Sequence, residues 1–408
     1  LGTAPGPGSV PQGGLIDRAA RALVLRRLAR LEAGRLRIRE GAATHDCGPS
    51  ANPLAATIEV RDPRFYRALA QSGHLGAAEA YLDGWWTTDD LTALVRLFLR
   101  NRGVADGMEG GWARLARPVR RLWHAVRRNT RGGSRRNIAA HYDLGNDFFA
   151  EFLDDTLTYS CGIYERPDST LRDASEAKYD RICRKLRLSG GDHVLEIGTG
   201  WGGFALHAAG RYGCRVTTTT ISAEQHALAT QRVAAAGLAD RVTVLARDYR
   251  DLQGTYDKLV SIEMIEAVGH HYYAQFFAKC ASLLQRGGAM ALQAITIADA
   301  RYARARNEVD FIKRYIFPGS CIPSLSALTA AWRRASDLQL VEVEDITAHY
   351  VTTLRQWREN FVAHWDRIRA QGFRDEFRRL WEFYFCYCEG GFAERALGDV
   401  QLLLVRPS

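Results

Sequence analysis

The stretch Val194-Leu195-Glu196-Ile197-Gly198-Thr199-Gly200-Trp201-Gly202-Gly203-Phe204 decides the fold. An apolar run ending in an acid reads as a strand buried on both faces. The glycines that follow let the backbone turn sharply and pass close to a ligand. The next residues, Phe204 to Tyr212, read as a helix whose start faces the turn, so the segment is a strand-turn-helix corner of the kind that holds a nucleotide-like cofactor.

Gly198, Gly200 and Gly203 satisfy G-x-G-x-x-G, which alone is a weak signal for a dinucleotide. A dinucleotide site also needs a ribose-binding acid about 20 residues on. Here that position falls in Thr217-Thr218-Thr219-Thr220-Ile221-Ser222. Glu196 instead precedes the first glycine, and E-x-G-x-G resembles the first motif of class I S-adenosylmethionine methyltransferases. A purely structural corner is the competing reading; three close glycines cost chain entropy and weigh against it.

A chain of 408 residues accommodates two domains, and 47% hydrophobic residues supply a core. No apolar run reaches about 18 residues, so no transmembrane helix is expected. The start, Leu1 to Gly8, lacks the form of a signal peptide. Eight scattered cysteines suggest reduced thiols and a cytoplasmic setting, and Cys386 with Cys388 makes a poor zinc signature; no metal is expected. The net charge of +9 favours anionic partners. Nine arginines lie between Arg114 and Arg136, interleaved with Leu115, Val119, Leu122, Trp123 and Val126. That pattern suits an anionic lipid surface, a calmodulin-type groove or a solvated linker equally. No stacking module or zinc knuckle accompanies it, so nucleic acid is not expected.

The organisation follows: a Gly/Pro-rich tail at 1–14, a small module at 15–113, the basic linker at 114–136, and an α/β domain at 137–408. The module is expected to be mainly helical, with helices at Arg18 to Leu31, Phe65 to Ala70 and Leu91 to Leu99 and a strand near Ala56 to Val60. The large domain reads as a Rossmann-like, doubly wound, parallel sheet. Its strands are expected at His193 to Ile197, Arg215 to Thr220, Val242 to Ala246, Lys258 to Ile262, Ala289 to Ile297, Gln339 to Ile346 and Val400 to Val405. Helices are expected at Phe204 to Tyr212, Ala223 to Ala236, His271 to Leu284 and Leu325 to Ser336. The ligand site of such a sheet lies beyond the carboxyl ends of its strands.

Several strings agree with one family: Tyr142-Asp143-Leu144-Gly145-Asn146-Asp147-Phe148-Phe149, Tyr159-Ser160-Cys161, the glycine turn with Trp201, Ile221-Ser222-Ala223-Glu224-Gln225, and Arg314-Tyr315-Ile316-Phe317-Pro318. Together they resemble the cyclopropane fatty-acyl-phospholipid synthases and their mycolic-acid and tuberculostearic-type methyltransferase relatives. Ala80-Tyr81-Leu82-Asp83-Gly84-Trp85-Trp86 is similar to their lipid-contacting amino-terminal module. The resemblance implies transfer of the cofactor's methyl carbon to a cis double bond in a phospholipid acyl chain. The leading expectation is a cyclopropane ring, formed by proton loss from the resulting carbocation; the alternative is C-methylation that gives a methylene or methyl branch. It also implies a bound bicarbonate as base, ringed by Cys161, Glu266, Gln293, Ile295 and Tyr350. Cys388 aligns with a cysteine once proposed as nucleophile, and an inert thiol is its bland reading.

For the cofactor, the resemblance assigns Tyr159 and Ser160 to the methionyl carboxylate, and Glu196, Gly198, Gly200 and Gly202 to the turn beneath it. Thr220, Ile221 and Gln225 fall to the ribose side, and Asp248 and Tyr249 to the adenine side. Two departures matter. Family members show F-E-H-V-G where this chain has Ile265-Glu266-Ala267-Val268-Gly269, and a bicarbonate-contacting histidine becomes Gln293. Glutamine donates a hydrogen bond but shares no proton at neutral pH. The expected setting is the inner face of the cytoplasmic membrane, on anionic phospholipid, and the resemblance allows a homodimer. Two alternatives stand beside this reading: a methyltransferase for a small soluble acceptor, and a lipid-binding partner with a vestigial cofactor site.

Overall fold

The structure, a computed structural model, describes residues 13–49, 53–104 and 144–408. The arginine-rich segment 114–136, Tyr142-Asp143 and most of the expected tail lie outside the described residues. The chain divides into two compact units. The first holds the described residues up to 104 together with Glu308–Ile312 and Gly372–Ala396; the second holds 144–307, Lys313–Gln371 and Leu397–Ser408.

In the first unit, α1 (Leu15–Leu28), α2 (Arg64–Leu82) and α3 (Leu91–Arg100) are the three helices expected. Beside them β1 (Arg35–Glu40), β2 (Ala43–Cys47), β3 (Ala55–Val60) and β4 (Trp86–Thr88) form a sheet of order β2-β1-β3-β4. The sequence reading found only β3. Arginines alternate with Leu36 and Ile38 along β1, so its charge concealed a strand with one buried face. The late helix Asp375–Ala393 belongs to this unit: Arg96 and Arg100 each donate to the Glu394 carboxylate at 2.8 Å, and Phe383 packs on Tyr81 and Phe311. Trp381, Phe383, Tyr384 and Phe385 of this helix are therefore core of the first unit.

The second unit runs α4 (Asn146–Ala150), α5 (Leu171–Leu186), β5 (His193–Ile197), α6 (Gly203–Tyr212), β6 (Arg215–Thr220), α7 (Ala223–Ala235), β7 (Val242–Ala246), β8 (Tyr256–Ile262), α8 (Tyr273–Leu283), β9 (Leu284–Ile297), α9 (Asp299–Ala305), α10 (Leu325–Ala335), β10 (Gln339–Asp345), α11 (Thr347–Ala363), α12 (Trp365–Ala370) and β11 (Leu397–Val405). All seven expected strands are present, in the order β10-β11-β9-β8-β5-β6-β7. One feature differs from the expectation of a parallel sheet: β11 runs antiparallel to β9 and β10, so the sheet is mixed. Strand direction is invisible to hydrophobic patterning, because either direction buries the same alternate side chains.

Helices cover both faces. Leu195, Ile197, Met290, Leu292, Leu402 and Leu404 pack toward α8 and α10, whereas Val194, Val260, Ala291 and Leu403 pack toward α5 and α6. Side chains alternate along a strand, so Glu196, Gln293, Asp399 and Gln401 share the α5 face. All four are buried. Four polar residues in strands otherwise apolar, and on one face, mark where the sheet departs from pure core.

Candidate active site at the carboxyl ends of the sheet

The glycine turn takes backbone that only glycine adopts without strain: φ is +106° at Gly198, +52° at Gly200 and +88° at Gly202. A methyl group added at Gly198 would meet Met264 at 3.3 Å, whereas at Gly200 nothing lies within 4 Å. The space above Gly200 is open to a ligand. At the end of β5, Glu196 is buried with Oε2 lacking any partner, and burial pushes its carboxyl up to about 8. On one side of the turn, Gln225 is buried and accepts from Thr220 Oγ1 at 2.9 Å. Asp248 follows β7 and is clamped by Arg250 through contacts of 2.9 and 2.6 Å, so the acid assigned to an adenine amine is already ion-paired. Ile221 and Tyr249 are half-buried beside them. Thr199, next to the turn, is held by the Thr218 hydroxyl at 2.7 Å.

On the other side, the segment 156–161 is tied down by α5 and α7. Thr158 Oγ1 and Tyr179 Oη are 2.6 Å apart, and Arg232 donates to the carbonyls of Thr156 and Trp201 at 3.0 and 2.7 Å. This presents Tyr159, Ser160 and Cys161 at the sheet mouth. Tyr159 lies 5.1 Å from the Trp357 ring, and Tyr350 lies 6.1 Å from it, so three aromatics are contiguous there.

The groups expected to ring a bicarbonate do come together, but around a side chain the sequence reading missed. Glu263, just past β8, has φ of +47°, a left-handed backbone rare for a residue with a Cβ. Its Oε1 accepts from the Cys161 amide and from Gln293 Nε2, each at 2.8 Å, and its Oε2 accepts from Tyr350 Oη at 2.6 Å. Glu266 stands beside this cluster: its Oε1 accepts from the Ile295 amide at 2.6 Å and its Oε2 has no partner. Burial, then the Glu263 charge, push Glu266 up to about 8. Asp399, fully buried on β11, receives Gln293 Nε2 at 3.3 Å, and burial and the two glutamates push it well above the carboxylate range. Gln401 donates to Gln293 Oε1 at 3.0 Å, which fixes the Gln293 amide with its nitrogen toward Glu263. Cys161 contributes its backbone amide; burial pushes its thiol well up.

Bicarbonate does not fit this arrangement, because the Cys161 amide, Gln293 and Tyr350 are committed to Glu263 and the Ile295 amide to Glu266. The sulfonium cofactor does fit: an orphaned Glu196 oxygen, an open Gly200 and buried Gln225 line one continuous turn. Cys388 stands apart, since it belongs to the first unit, half-buried on the helix Asp375–Ala393 with its thiol raised by burial. Besides Glu263, the sequence reading missed Asp399, Gln401 and Lys178. Each carried a signal: Asp399 and Gln401 alternate with apolar residues in β11, and Lys178 falls at helical spacing among Leu171, Ala174, Ser175, Ile182 and Cys183 on the buried face of α5.

Residues 129–402 match the family model described as mycolic acid cyclopropane synthetase. The chain is 38% identical to the tuberculostearic acid methyltransferase UfaA1 of Mycobacterium tuberculosis, over 98% of this chain and 95% of that protein. It is 36% identical to the cyclopropane-fatty-acyl-phospholipid synthase of Escherichia coli, over 85% of this chain and 86% of the relative. Among solved structures, the cyclopropane synthase MmaA2 of Mycobacterium tuberculosis superposes with a TM-score of 0.62 at 29% identity, covering 67% of this chain and 98% of that one, and the mycolic acid cyclopropane synthase CmaA1 complexed with SAH and CTAB with a TM-score of 0.61 at 30% identity, covering 66% of this chain and 97% of that one. The glycine turn, the mixed seven-stranded sheet and these likenesses lead to one statement: the chain belongs to the mycolic acid cyclopropane synthetase family, and is an S-adenosylmethionine-dependent methyltransferase of the lipid-modifying kind.

Proposed function

We propose that this protein methylates the cis double bond of an unsaturated acyl chain in a phospholipid, at the surface of an anionic bilayer, and that Glu263 takes up the proton released. The observation that carries this reading is the Glu263 carboxylate at the sheet mouth, held by Cys161, Gln293 and Tyr350. Bound S-adenosylmethionine supplies an electrophilic methyl carbon and leaves as the neutral thioether.

An alkene is a weak nucleophile, so the chain's contribution is orientation and exclusion of water. Attack joins the methyl carbon to one olefinic carbon and leaves a cation on the other. The faces of Tyr159, Tyr350 and Trp357 favour a cation nearby. An ionised carboxylate offers about four acceptor positions. Glu263 takes two hydrogen bonds on Oε1 and the Tyr350 hydroxyl on Oε2, with the buried Asp399 carboxyl as a further close neighbour. Burial pushes the carboxyls of Glu266 and Asp399 upward, which opposes the accumulation of negative charge around Glu263. Loss of a proton from the new methyl closes a ring; a 1,2-hydride shift that first moves the cation onto the methyl-bearing carbon, followed by the same proton loss, leaves a methylene branch, and a saturated methyl branch requires a further hydride donor.

Purified protein with unsaturated phosphatidylglycerol vesicles and methyl-labelled cofactor should yield a labelled lipid whose NMR spectrum separates ring from branch. Glu263→Gln should lower turnover by about 10²–10⁴-fold with cofactor affinity nearly unchanged, and Glu266→Gln by less than about tenfold. Turnover should persist in buffer stripped of carbon dioxide. A requirement for added bicarbonate, or the reverse order of the two variants, would remove Glu263 as the base.

A further inference from the structure

Lys178 is a fully buried lysine that the mechanism above does not use. It projects from α5 toward the sheet face that carries Glu196, Gln293 and Asp399. Its Nζ donates to Ser160 Oγ at 2.6 Å, and no other hydrogen-bond or ion-pair partner of that nitrogen occurs among the described residues. An ammonium has three donors and no acceptor. The other close neighbour of Lys178 is the Tyr179 ring, 4.5 Å from Nζ to the centroid, and the charges of Glu263 and Asp399 act on it without a direct ion pair, so the Ser160 hydroxyl takes its one hydrogen bond.

The direction of this contact matters. Because Lys178 can only donate, Ser160 Oγ must accept, and the serine proton is turned away from the lysine. Ser160 Oγ makes no other hydrogen bond among the described residues, so that proton is uncommitted. The hydroxyl is thereby fixed as a donor and polarised by the charge behind it, which suits it to an anionic oxygen. Its position is also fixed: Thr158 and Tyr179 staple the segment to α5, and Tyr179 Oη would lie 2.5 Å from a Cβ at Gly203, directly after the glycine turn. Gln225 and Asp248 occupy the β6 and β7 side of the turn; Ser160 lies on the opposite side, next to Cys161 and Glu263. A cofactor laid across the turn with its adenosyl end over β6 and β7 brings its amino-acid end to Ser160.

We infer that Lys178 is a positioning residue for the cofactor: acting through Ser160, it makes a carboxylate-selective donor that holds the amino-acid end of S-adenosylmethionine and so aims the sulfonium at the olefin. The inference rests on the cofactor reading but not on the lipid substrate or on Glu263. It predicts that the protein senses the cofactor's carboxylate and that Lys178 is the source of this sensitivity.

Decarboxylated S-adenosylmethionine keeps the adenosyl group and sulfonium and lacks only that carboxylate. Calorimetric titration of the wild-type chain should show it binding at least about tenfold more weakly than S-adenosylmethionine, the scale of one lost charge-assisted hydrogen bond. Lys178→Met removes the buried cation and fills its space with a side chain of similar length, so the fold should hold. In that variant the preference should shrink to within about threefold, through weaker binding of S-adenosylmethionine and little change for the decarboxylated form. A purely structural lysine would weaken both ligands alike, and that result overturns the inference. So does a wild-type chain that binds both equally. If Lys178→Met does not fold, Ser160→Ala removes the same donor and should narrow the preference in the same way; an unchanged preference there overturns the proposal. Failure of S-adenosylmethionine itself to bind the wild-type chain would sink the cofactor reading.

Discussion

Glu263 shows how one residue's backbone can carry a site. A φ of +47° costs a side-chain-bearing residue about 1–2 kcal/mol, and three hydrogen bonds to its carboxylate hold it there. Such strain collects where function over-determines a conformation. Glu266 and Tyr350 could be named beforehand because they sit in recognisable strings; Glu263 could not, since its side-chain direction depends on that left-handed residue, which no local pattern encodes. Glu266 has a thermodynamic signature of its own. Folded, it holds its proton up to about pH 8, whereas an exposed glutamate releases it near 4.5. The folded chain therefore binds more protons than the unfolded one across that window, and stability falls as pH rises through it. Glu196 acts in the same direction. Urea midpoints at pH 5 and pH 8 should show this fall, and Glu266→Gln should reduce it; an identical fall in the variant would mean that Glu266 is not the buried acid responsible.

At the scale of elements, α5 joins scaffold to site. Thr170 accepts from the Asp173 amide at 3.1 Å while the Asp173 carboxylate accepts from the Thr170 amide at 2.9 Å, a capping box that starts the helix before Leu171. The helix then places Lys178 and Tyr179 against the segment 156–161. Thr170→Ala should cost about 1 kcal/mol of stability, read from denaturant unfolding, and leave the preference between the two cofactor forms intact, because the cap lies two turns from Lys178. A changed preference would show that the helix is positioned by its cap and not by its buried face. The seven strands of this unit and the helices α6, α7, α8 and α10 were legible in the sequence, whereas α4, α5, α9, α11 and α12 were not. The strands of the first unit were less legible, since β1 and β2 are short and heavily charged.

For the whole molecule, the lipid reading needs a surface that meets a bilayer. No helix among the described residues is long and apolar enough to cross one. On α1, Leu15 and Ile16 are 78% and 66% exposed on a helix that also carries Arg18, Arg26 and Arg27, a composition suited to an anionic interface. Sedimentation with anionic vesicles should capture the chain and lose it as salt rises, and Leu15→Ser with Ile16→Ser should weaken capture severalfold without altering cofactor affinity. Capture unaffected by both changes would place the contact elsewhere. The amino-acid sequence by itself determined the doubly wound sheet and its glycine turn, because strand alternation, helical spacing and glycine's conformational freedom are local properties of the chain; the kind of cofactor came from the resemblance of E-x-G-x-G and its companion strings to a known family. Only the tertiary structure decided that β11 runs antiparallel, that Gln293, Tyr350 and the Cys161 amide meet on Glu263, and that Lys178 backs Ser160. Those contacts join residues up to about a hundred positions apart, and their geometry follows from how the elements pack.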